Sequence, residues 1–336
     1  MRSPQVETNR LVSKEIHLQP RVLVAVVNYR SADLVLDCIR SLAADSQDIS
    51  VVVVDNASAD GSKERIEAGL RELGSPDWVD FVPLDHNGGF AHGNNVAIRH
   101  GVEKNGGKWP EFVWFLNPDT YVRPGACAAL IAFLEAHPDV GIVGSRLEDP
   151  DGTGQASRYR FPSIASEFEA GLRLGVVSRL LSDKIVASAL VDHDHEIDWV
   201  AGASMMVRRA VFDAVGLMDD DYFLYFEETD FCLASKRAGW RCWYVPQSRV
   251  VHLVGQSTGV TVRNAAPRRI PRYWLASRKR YFAKNHGRVY AFCADVAWTI
   301  GYTTWRIRRR LQGKPDNDPP HLLKDFVQFN FLARRS

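Results

Sequence analysis

Three carboxylates lie close together in the segment YFLYFEETDFC, at positions Glu227, Glu228 and Asp230. Bulky aromatic residues flank them within the same segment. Burial beside aromatic rings and mutual repulsion raise carboxylate pKa values, a property that suits a general base working near neutral pH. A second interpretation is that Asp230 or Glu227 stabilises the positive end of a helix dipole. The segment therefore predicts a catalytic base among three acids.

Polar residues also follow four predicted strands, at the point where each strand ends. In open α/β sheets, ligands bind beyond the carboxyl ends of the strands. Any one of these segments could be only a turn or a helix cap, but the four together predict a ligand-binding edge. The candidates for contact with the ligand are Asn28, Tyr29, Asp55, Asn56, Asn87, Gly93, Asn95, Asn117 and Asp119.

The corner Asn117-Pro118-Asp119 is rich in oxygen atoms and suits a hard divalent cation, which takes carboxylate ligands and leaves positions open for phosphate oxygens. One corner is an incomplete ligand set, so His252, at the end of a later strand, is a further candidate ligand. A lone histidine after a strand is more often structural. Asp55 can accept hydrogen bonds from a pyrimidine imide or from a ribose hydroxyl. The first strand is followed by NYRSAD and not by GxGxxG, which argues against a nicotinamide or flavin enzyme.

The elements that must position these residues alternate between strands and helices. Continuous apolar runs at 21–28, 50–55 and 112–116 predict strands buried on both faces, and amphipathic stretches between them predict helices. This alternation predicts an open α/β sheet with right-handed crossovers. Between residues 140 and 199 the pattern blurs, which predicts a long excursion over the sheet. A strand at 199–208, a helix near 229–238 and a strand at 241–251 are expected to follow.

Composition limits the class of protein. The chain has 336 residues, of which 46% are hydrophobic and 24% are charged, and this ordinary globular usage excludes a disordered or low-complexity chain. Five scattered cysteines without a CxxC pair exclude a zinc knuckle and predict buried thiols in a reducing compartment. Residues 1–20 form a polar leader without the apolar core of a signal peptide, and no run of apolar residues is long enough to span a membrane. We expect a cytoplasmic protein.

Charge is distributed unevenly along the chain. Residues 263–314 contain fourteen Lys or Arg residues and a single acid, although the net charge of the whole chain is only +2. The residues before this basic segment therefore carry a net negative charge. A boundary is predicted near residue 262, and the basic part is expected to meet an anionic surface or ligand. Nucleic acid is not expected as a partner, because the acidic body would oppose it.

Residues 289–311 contain five aromatic residues among apolar ones and end in Arg306, Arg308, Arg309 and Arg310. This pattern predicts an amphipathic helix at the cytoplasmic face of the inner membrane, with its cations near acidic lipid headgroups. The alternative is a helix that packs on the catalytic domain with its arginines solvated. The sequence leaves both interpretations open.

Seven motifs occur in an order that resembles family 2 glycosyltransferases with the GT-A fold. They are VAVVNYRSADLVLDCIRSL, VVVVDNASADGS, NGGFAHGNN, WFLNPDT, WVAGASMMVRR, FLYFEETDFCLASKRAGW and VVHLVGQSTG. The resemblance covers residues 21–262 and is strongest to bacterial rhamnosyltransferases that use dTDP-L-rhamnose. It implies a GT-A catalytic domain over 21–262, a Rossmann-like open mixed sheet flanked by helices. A basic, aromatic-rich helical extension would occupy 263–336.

The resemblance also implies an activity, namely inverting transfer of a sugar, with L-rhamnose from dTDP-L-rhamnose favoured, onto a lipid-linked or growing polysaccharide acceptor. Asp55 would then read the nucleotide base, Asp119 and His252 would bind Mg²⁺ or Mn²⁺, and Glu228 would be the base. The sequence departs from the family pattern in having Glu-Glu where Glu-Asp is usual, and Asn117 where Asp-x-Asp begins. UDP-galactofuranose and UDP-N-acetylhexosamine remain alternative donors. A catalytically silent, membrane-associated assembly subunit is the alternative from another class.

Overall fold

The computed structural model describes residues 20–45, 48–254 and 267–332. The strands are β1 (Val22–Asn28), β2 (Ile49–Asp55), β3 (Val79–Pro83), β4 (Phe112–Leu116), β5 (Thr120–Val122), β6 (Val140–Glu148), β7 (Arg158–Tyr159), β8 (His195–Ile197), β9 (Trp199–Val200), β10 (Ser204–Arg208) and β11 (Arg241–His252). The helices are α1 (Ala32–Asp45), α2 (Ser62–Glu72), α3 (Phe90–Lys104), α4 (Ala126–Ala136), α5 (Ile164–Leu172), α6 (Gly175–Leu180), α7 (Arg209–Val215), α8 (Glu227–Arg237), α9 (Arg272–His286), α10 (Arg288–Leu311) and α11 (Leu322–Val327), the last continuing into a π-helical turn (Gln328–Leu332).

One mixed sheet organises the body of the molecule, in the order β3-β2-β1-β4-β10-β6-β11-β5, with β8 also paired to β11. Strands β3, β2, β1 and β4 are mutually parallel, whereas β10 runs antiparallel to β4 and β6. The chain moves outward from β1 through β2 to β3 and then returns to β4 on the other side of β1. This reversal beside β1 is where a ligand is expected in an open α/β sheet, and the predicted open mixed sheet is confirmed.

The buried runs of the sequence form strands covered on both faces. Alternate residues of β1 enter two separate clusters of the core, with Val24 and Val26 in one and Leu23 and Ala25 in the other. Because both faces of β1 pack against apolar layers, the strand reads as a continuous apolar run.

The blurred region that begins at residue 140 contains a central strand that the sequence pattern did not indicate. Strand β6 is almost wholly buried between β10 and β11. Its Gly144 leaves room for Val200, since a Cβ at position 144 would lie 2.3 Å from Val200 Cγ1. Glycine and charged residues in VGIVGSRLE weaken the strand pattern. The strand predicted over 199–208 is interrupted, because β9 pairs with β7 outside the main sheet and β10 alone joins it.

The basic C-terminal helices are held to the body by ion pairs. On α9, Arg278 binds Glu167 at 2.8 Å, while Arg280 and Lys284 bind Asp219 at 2.8 and 2.7 Å. The acidic body therefore supplies part of the anionic surface that the charge distribution predicted for this basic segment. The predicted boundary near residue 262 lies outside the described residues, as does the leader up to residue 19.

Helix α10 packs against α5 through two glycines. A Cβ on Gly301 would lie 2.6 Å from the Phe168 backbone oxygen, and one on Gly171 would lie 2.8 Å from the Trp298 backbone oxygen. The two backbones can approach this closely because neither glycine carries a side chain. Among the helices of the described residues, none is long and apolar enough to cross a membrane.

The arginines at the end of α10 are mostly engaged within the protein. Arg306 and Arg309 bind Asp316 at 3.1 and 2.8 Å, and Arg308 donates hydrogen bonds to two backbone oxygens at the end of α5. The prediction that all four arginines face lipid is therefore wrong for these three, and Arg310 alone of the four is exposed. Four cysteines are buried free thiols, as predicted, whereas Cys293 on α10 is exposed.

Candidate active site

A cavity of about 590 Å³ opens beyond the carboxyl ends of β1, β2 and β4. Its position is the one expected from the reversal of strand order beside β1. The residues predicted from the sequence that line it are Tyr29, Asn56, Asn87, Asn117, Asp119, Glu227, Glu228 and His252. The structure thus brings together residues that lie more than 200 positions apart in the sequence.

Asn28 and Asp55 lie buried just behind this lining. Asn28 Nδ2 donates to Asp55 Oδ1 at 2.7 Å, and the backbone N–H of Ser58 donates to Asp55 Oδ2 at 3.1 Å. Asn28 Oδ1 in turn accepts from the backbone N–H of Ser31 at 3.1 Å. These bonds fix the orientation of the Asp55 carboxylate, so Asn28 positions Asp55 at the edge of the site.

Gly93 and Asn95 lie on α3 and do not line the cavity. Asn95 exchanges hydrogen bonds with the backbone of Met218, donating at 2.7 Å and accepting at 3.2 Å. A Cβ on Gly93 would lie 2.7 Å from Val27 Cγ1, so this glycine lets α3 approach β1. Both residues have packing roles in place of the predicted contact with the ligand.

The turn before α3 closes one side of the cavity. Asn56 Nδ2 donates to the backbone oxygen of Gly89 at 2.9 Å, and Asn87 Oδ1 accepts from the Gly89 N–H at 2.9 Å. Gly89 has a φ of +91°, and a Cβ there would lie 2.2 Å from the Phe223 backbone oxygen. Both the positive φ and the lack of space for a Cβ therefore require glycine at position 89. The sequence analysis included this turn but did not identify the approach of Phe223.

Asp119 and His252, the two predicted metal ligands, face each other on the cavity wall. His252 Nε2 lies 3.5 Å from Asp119 Oδ1 and 3.3 Å from Asn117 Nδ2. The antiparallel pairing of β5 with β11 sets this geometry, since His252 lies opposite Thr120. Within the described ranges, no group of three or more His, Cys, Asp or Glu residues could hold a metal ion. The Asp119 carboxylate and the His252 imidazole are ligand types that divalent cations accept, and a cation held by these two groups would take its remaining ligands from water or phosphate oxygens.

Glu227 and Glu228 begin α8 and line the cavity together. Burial raises the pKa of Glu228, while hydrogen bonds from backbone N–H groups, including that of Gly202, act in the opposite direction. Burial also raises the pKa of Glu227 well above its usual range, and the neighbouring Glu228 charge adds to the effect. Both pKa values are therefore raised, and the Glu228 charge further favours the protonated form of Glu227. One oxygen of each carboxylate, Oε2, has no hydrogen-bond partner among the described residues.

Asp230, the third acid of the segment, points away from this pair. Its Oδ2 lies 2.6 Å from Lys284 Nζ, and its Oδ1 accepts from Asn285 Nδ2 at 2.6 Å and from the Tyr222 hydroxyl at 3.2 Å. Asp230 is buried but does not line the cavity. Its position supports the structural interpretation of this acid and leaves Glu228 as the better candidate for the base.

Aromatic residues missed as site residues line another side of the cavity: Phe223, Tyr225 and Tyr273. Tyr273 comes from α9, within the basic segment that the sequence analysis assigned to an anionic surface. The aromatic run at 222–226 was a signal for two of these residues, whereas no local pattern marks Tyr273.

Comparison with known proteins gives relatives over most of the chain. The N-acetylglucosaminyl-diphospho-decaprenol L-rhamnosyltransferase of Mycobacterium tuberculosis is 28% identical over 275 residues, which cover 80% of this chain and 82% of the relative. Rhamnosyltransferase WbbL of Escherichia coli is 26% identical over 267 residues, covering 79% of this chain and 93% of the relative.

Solved structures share the fold. The mannosyltransferase PcManGT from Pyrobaculum calidifontis, determined in complex with GDP-Man and Mn²⁺, has a TM-score of 0.55 at 18% identity, covering 88% of this chain and 76% of that one. This likeness confirms the expected GT-A arrangement. The family model for "Glycosyl transferase family 2" matches residues 23–215, which is more than half of the chain. The protein therefore belongs to glycosyl transferase family 2 and is a glycosyltransferase.

Proposed function

We propose that the protein is an inverting, metal-dependent rhamnosyltransferase that moves L-rhamnose from dTDP-L-rhamnose onto a lipid-linked or growing polysaccharide acceptor. The observation that carries the proposal is one cavity holding both the Asp119–His252 pair, 3.5 Å apart, and the Glu227–Glu228 pair. The first pair suits a metal and a diphosphate, and the second suits a hydroxyl group that must lose a proton. The names of the two curated relatives support rhamnose as the transferred sugar.

The donor fits the polar side of the cavity. Asp55, held by Asn28 just behind this part of the lining, would accept a hydrogen bond from a pyrimidine imide or a ribose hydroxyl that binds beyond the end of β2. Asn56, Asn87 and Tyr29 line the same side and offer further hydrogen-bonding groups. The diphosphate would then extend toward Asp119 and His252.

Transfer requires one proton acceptor and a stabilised leaving group. Mg²⁺ or Mn²⁺ bound by Asp119 and His252 would offset the negative charge of the departing diphosphate. Glu228 takes the proton of the acceptor hydroxyl as that oxygen bonds to the anomeric carbon, and the bond to the diphosphate breaks with its electron pair. The raised pKa of Glu227 favours its protonated form, which limits the negative charge beside the base. In-line attack inverts the anomeric configuration.

Release of nucleotide diphosphate without any acceptor tests this proposal. Purified protein is incubated with dTDP-L-rhamnose, UDP-galactofuranose or UDP-N-acetylglucosamine, each with Mn²⁺ or with EDTA. We expect slow release of dTDP from dTDP-L-rhamnose with Mn²⁺ and none with EDTA. Release from a UDP-sugar alone would favour one of the alternative donors, and no release from any donor would favour the catalytically silent subunit.

We propose further that α10 lies on an anionic lipid surface at the cytoplasmic face of the inner membrane, through an apolar stripe formed by Val289, Phe292, Ile300, Ile307 and Leu311. Each of these side chains is more than half exposed, and their spacing places them on one face of the helix. The helix has 24 residues and is therefore about 36 Å long, which suits a helix lying in the plane of an interface. Exposed Arg288 and Arg310 near its two ends offer positive charge to acidic headgroups.

Cys293 reports directly on this surface, because it is exposed on α10 while the other four cysteines are buried. A polarity-sensitive maleimide dye on Cys293 should shift its emission to shorter wavelength with phosphatidylglycerol vesicles at low salt. The shift should fade with Ile300→Asp, with high salt and with phosphatidylcholine vesicles. Unchanged emission of the parental protein with acidic vesicles at low salt would contradict the membrane proposal.

A further inference from the structure

The cavity has an aromatic side that the proposed donor does not use. Phe223 and Tyr225 precede α8, and Tyr273 lies in the first turn of α9. The ring centroids of Phe223 and Tyr273 are 5.3 Å apart, and those of Tyr225 and Tyr273 are 6.3 Å apart with planes 24° from parallel. We call these three residues the aromatic wall. Phe223 and Tyr225 lie close to Glu227 and Glu228 in sequence, and all three members of the wall share the cavity lining with these acids.

The backbone that carries the wall is strained. Tyr225 and Phe226 both have a φ of +70°, a left-handed conformation that is unfavourable for bulky residues. Such strain persists only where the surrounding structure enforces it, often at functional sites. The strained conformation aims Tyr225 into the cavity and starts α8 directly at Glu227.

Helix α9 and the turn before α3 hold this strained segment from two sides. Ser277 Oγ donates to the Leu224 backbone oxygen at 3.0 Å, and the Phe226 ring packs against Tyr281 at 5.5 Å. On the other side, the backbone N–H of Phe90 donates to the Phe223 oxygen at 2.8 Å. Helix α9 of the C-terminal region therefore stabilises the strained segment before α8 and also contributes Tyr273 to the cavity lining.

We propose that the aromatic wall binds the acceptor's sugar ring, with Tyr273 stacking on the ring's apolar face, and that α9 thereby takes part in acceptor selection. The proposal rests on the proposed function, in which the donor occupies the polar side of the cavity. An acceptor hydroxyl that reaches Glu228 must then come from the remaining side, where the wall lies. Flat aromatic rings offer an apolar surface to a pyranose, and tyrosine hydroxyls add hydrogen bonds.

The Tyr273 hydroxyl can add a hydrogen bond to this stacking. Burial and the neighbouring Tyr225 raise the pKa of Tyr273 above its usual range, so the hydroxyl remains a donor near neutral pH, as an ordinary tyrosine hydroxyl does.

The test compares Tyr273→Ala, Tyr273→Phe and, as a control, Leu180→Ala on the exposed face of α6. Calorimetry measures the Kd of dTDP with Mn²⁺, and separately the Kd of a water-soluble N-acetylglucosaminyl diphosphate carrying a short alkyl chain. We expect Tyr273→Ala to weaken binding of the sugar probe about tenfold and to change the Kd of dTDP less than twofold. Tyr273→Phe keeps the ring and should stay within about threefold of the parent, and Leu180→Ala should match the parent.

The outcomes separate this proposal from the proposed function. A parental Kd for the sugar probe in Tyr273→Ala, or failure of the parent to bind the probe at all, overturns the acceptor subsite. A loss confined to dTDP would show instead that the wall stacks on the nucleotide base. If dTDP binds the parent no better with Mn²⁺ than with EDTA, the proposed donor site fails, whatever the probe does. Equal melting temperatures of the variants ensure that a loss of binding is not a loss of folding.

Discussion

Lys284 Nζ lies 2.6 Å from Asp230 Oδ2, and this ion pair ties α8, which carries the candidate base, to α9 of the C-terminal region. Lys284 also binds Asp219 at 2.7 Å, so one cation holds two acids of the body. Asp230 is thereby occupied in joining two helices, while Glu228 lines the cavity with one unpartnered oxygen in the described part of the chain. The same contact is one of several ion pairs between the basic segment and the acidic body.

The ion pair should contribute to stability more than to chemistry. We expect Lys284→Met to lower the free energy of unfolding by about 1–2 kcal/mol, because it leaves the buried Asp230 with fewer hydrogen-bond donors. The loss is moderate because water screens the partly exposed Lys284 ammonium group. Urea titration measures the change. Lys236→Met, which breaks a surface pair with Asp198, is the matched control and should cost less than about 1 kcal/mol. If both variants lose the same free energy of unfolding, the Lys284–Asp230 pair stabilises the protein no more than a surface ion pair does.

The metal pair can be tested through nucleotide binding. We expect Asp119→Asn and His252→Ala to reduce the affinity for dTDP in Mn²⁺ to the level that the parent shows in EDTA, because each variant removes one of two ligands. Calorimetric titration with and without Mn²⁺ measures this. The control is His100→Ala. His100 lies on the surface of α3 and pairs with Asp80. Metal enhancement that survives in both site variants would place the metal elsewhere.

Stability should depend on pH through Glu227. Its folded-state pKa is raised, so the folded protein binds the proton more tightly than the unfolded chain does. The stabilisation from that proton is complete below the ordinary glutamate pKa and is lost as the pH rises through the raised value. Glu227→Gln cannot titrate, so its melting temperature relative to the parent should increase as the pH rises above the ordinary glutamate pKa. The exposed Glu64→Gln is the control, and a pH-independent difference for Glu227→Gln would refute the raised pKa.

The docking of α10 on α5 can be tested at Gly301. A methyl group there would meet the Phe168 backbone oxygen at 2.6 Å, so the helices must separate. We expect Gly301→Ala to cost about 1–3 kcal/mol in the free energy of unfolding, as overpacking usually does. Gly175→Ala has open space around the new methyl group and should be near neutral. A neutral effect of Gly301→Ala in denaturant titration would contradict the close crossing.

The sequence predicted those parts of the fold that follow from local pattern. Strands β1 and β4 are buried and apolar, apart from Asn28 at the end of β1, and each lies where its run of residues indicates. The sequence pattern did not predict strand β6. Its two glycines and its charged end make contacts with other elements, and a local pattern does not show such contacts.

The candidate site likewise contains residues that the sequence pattern predicts and residues that only the structure reveals. Strand-end residues such as Asn117 and Asp119 were found because the carboxyl edge of a sheet can be read from the strands themselves. The separate roles of Glu228 and Asp230 depend on Lys284, 54 or more positions away, and only the packing of α9 reveals them. Tyr273 likewise reaches the cavity through the placement of a helix, not through any motif of its own.

The rate of transfer by Glu228→Gln tests the central claim most directly. The substitution keeps the shape of the side chain and removes its basicity, so kcat for transfer from dTDP-L-rhamnose should fall by about 10²–10⁴, while the Kd of the donor changes less than about twofold. The measurement is kcat at saturating donor and acceptor, beside Asp230→Asn, which should retain transfer in its folded fraction. Transfer by Glu228→Gln at the parental rate, with loss of transfer in folded Asp230→Asn, would contradict the account.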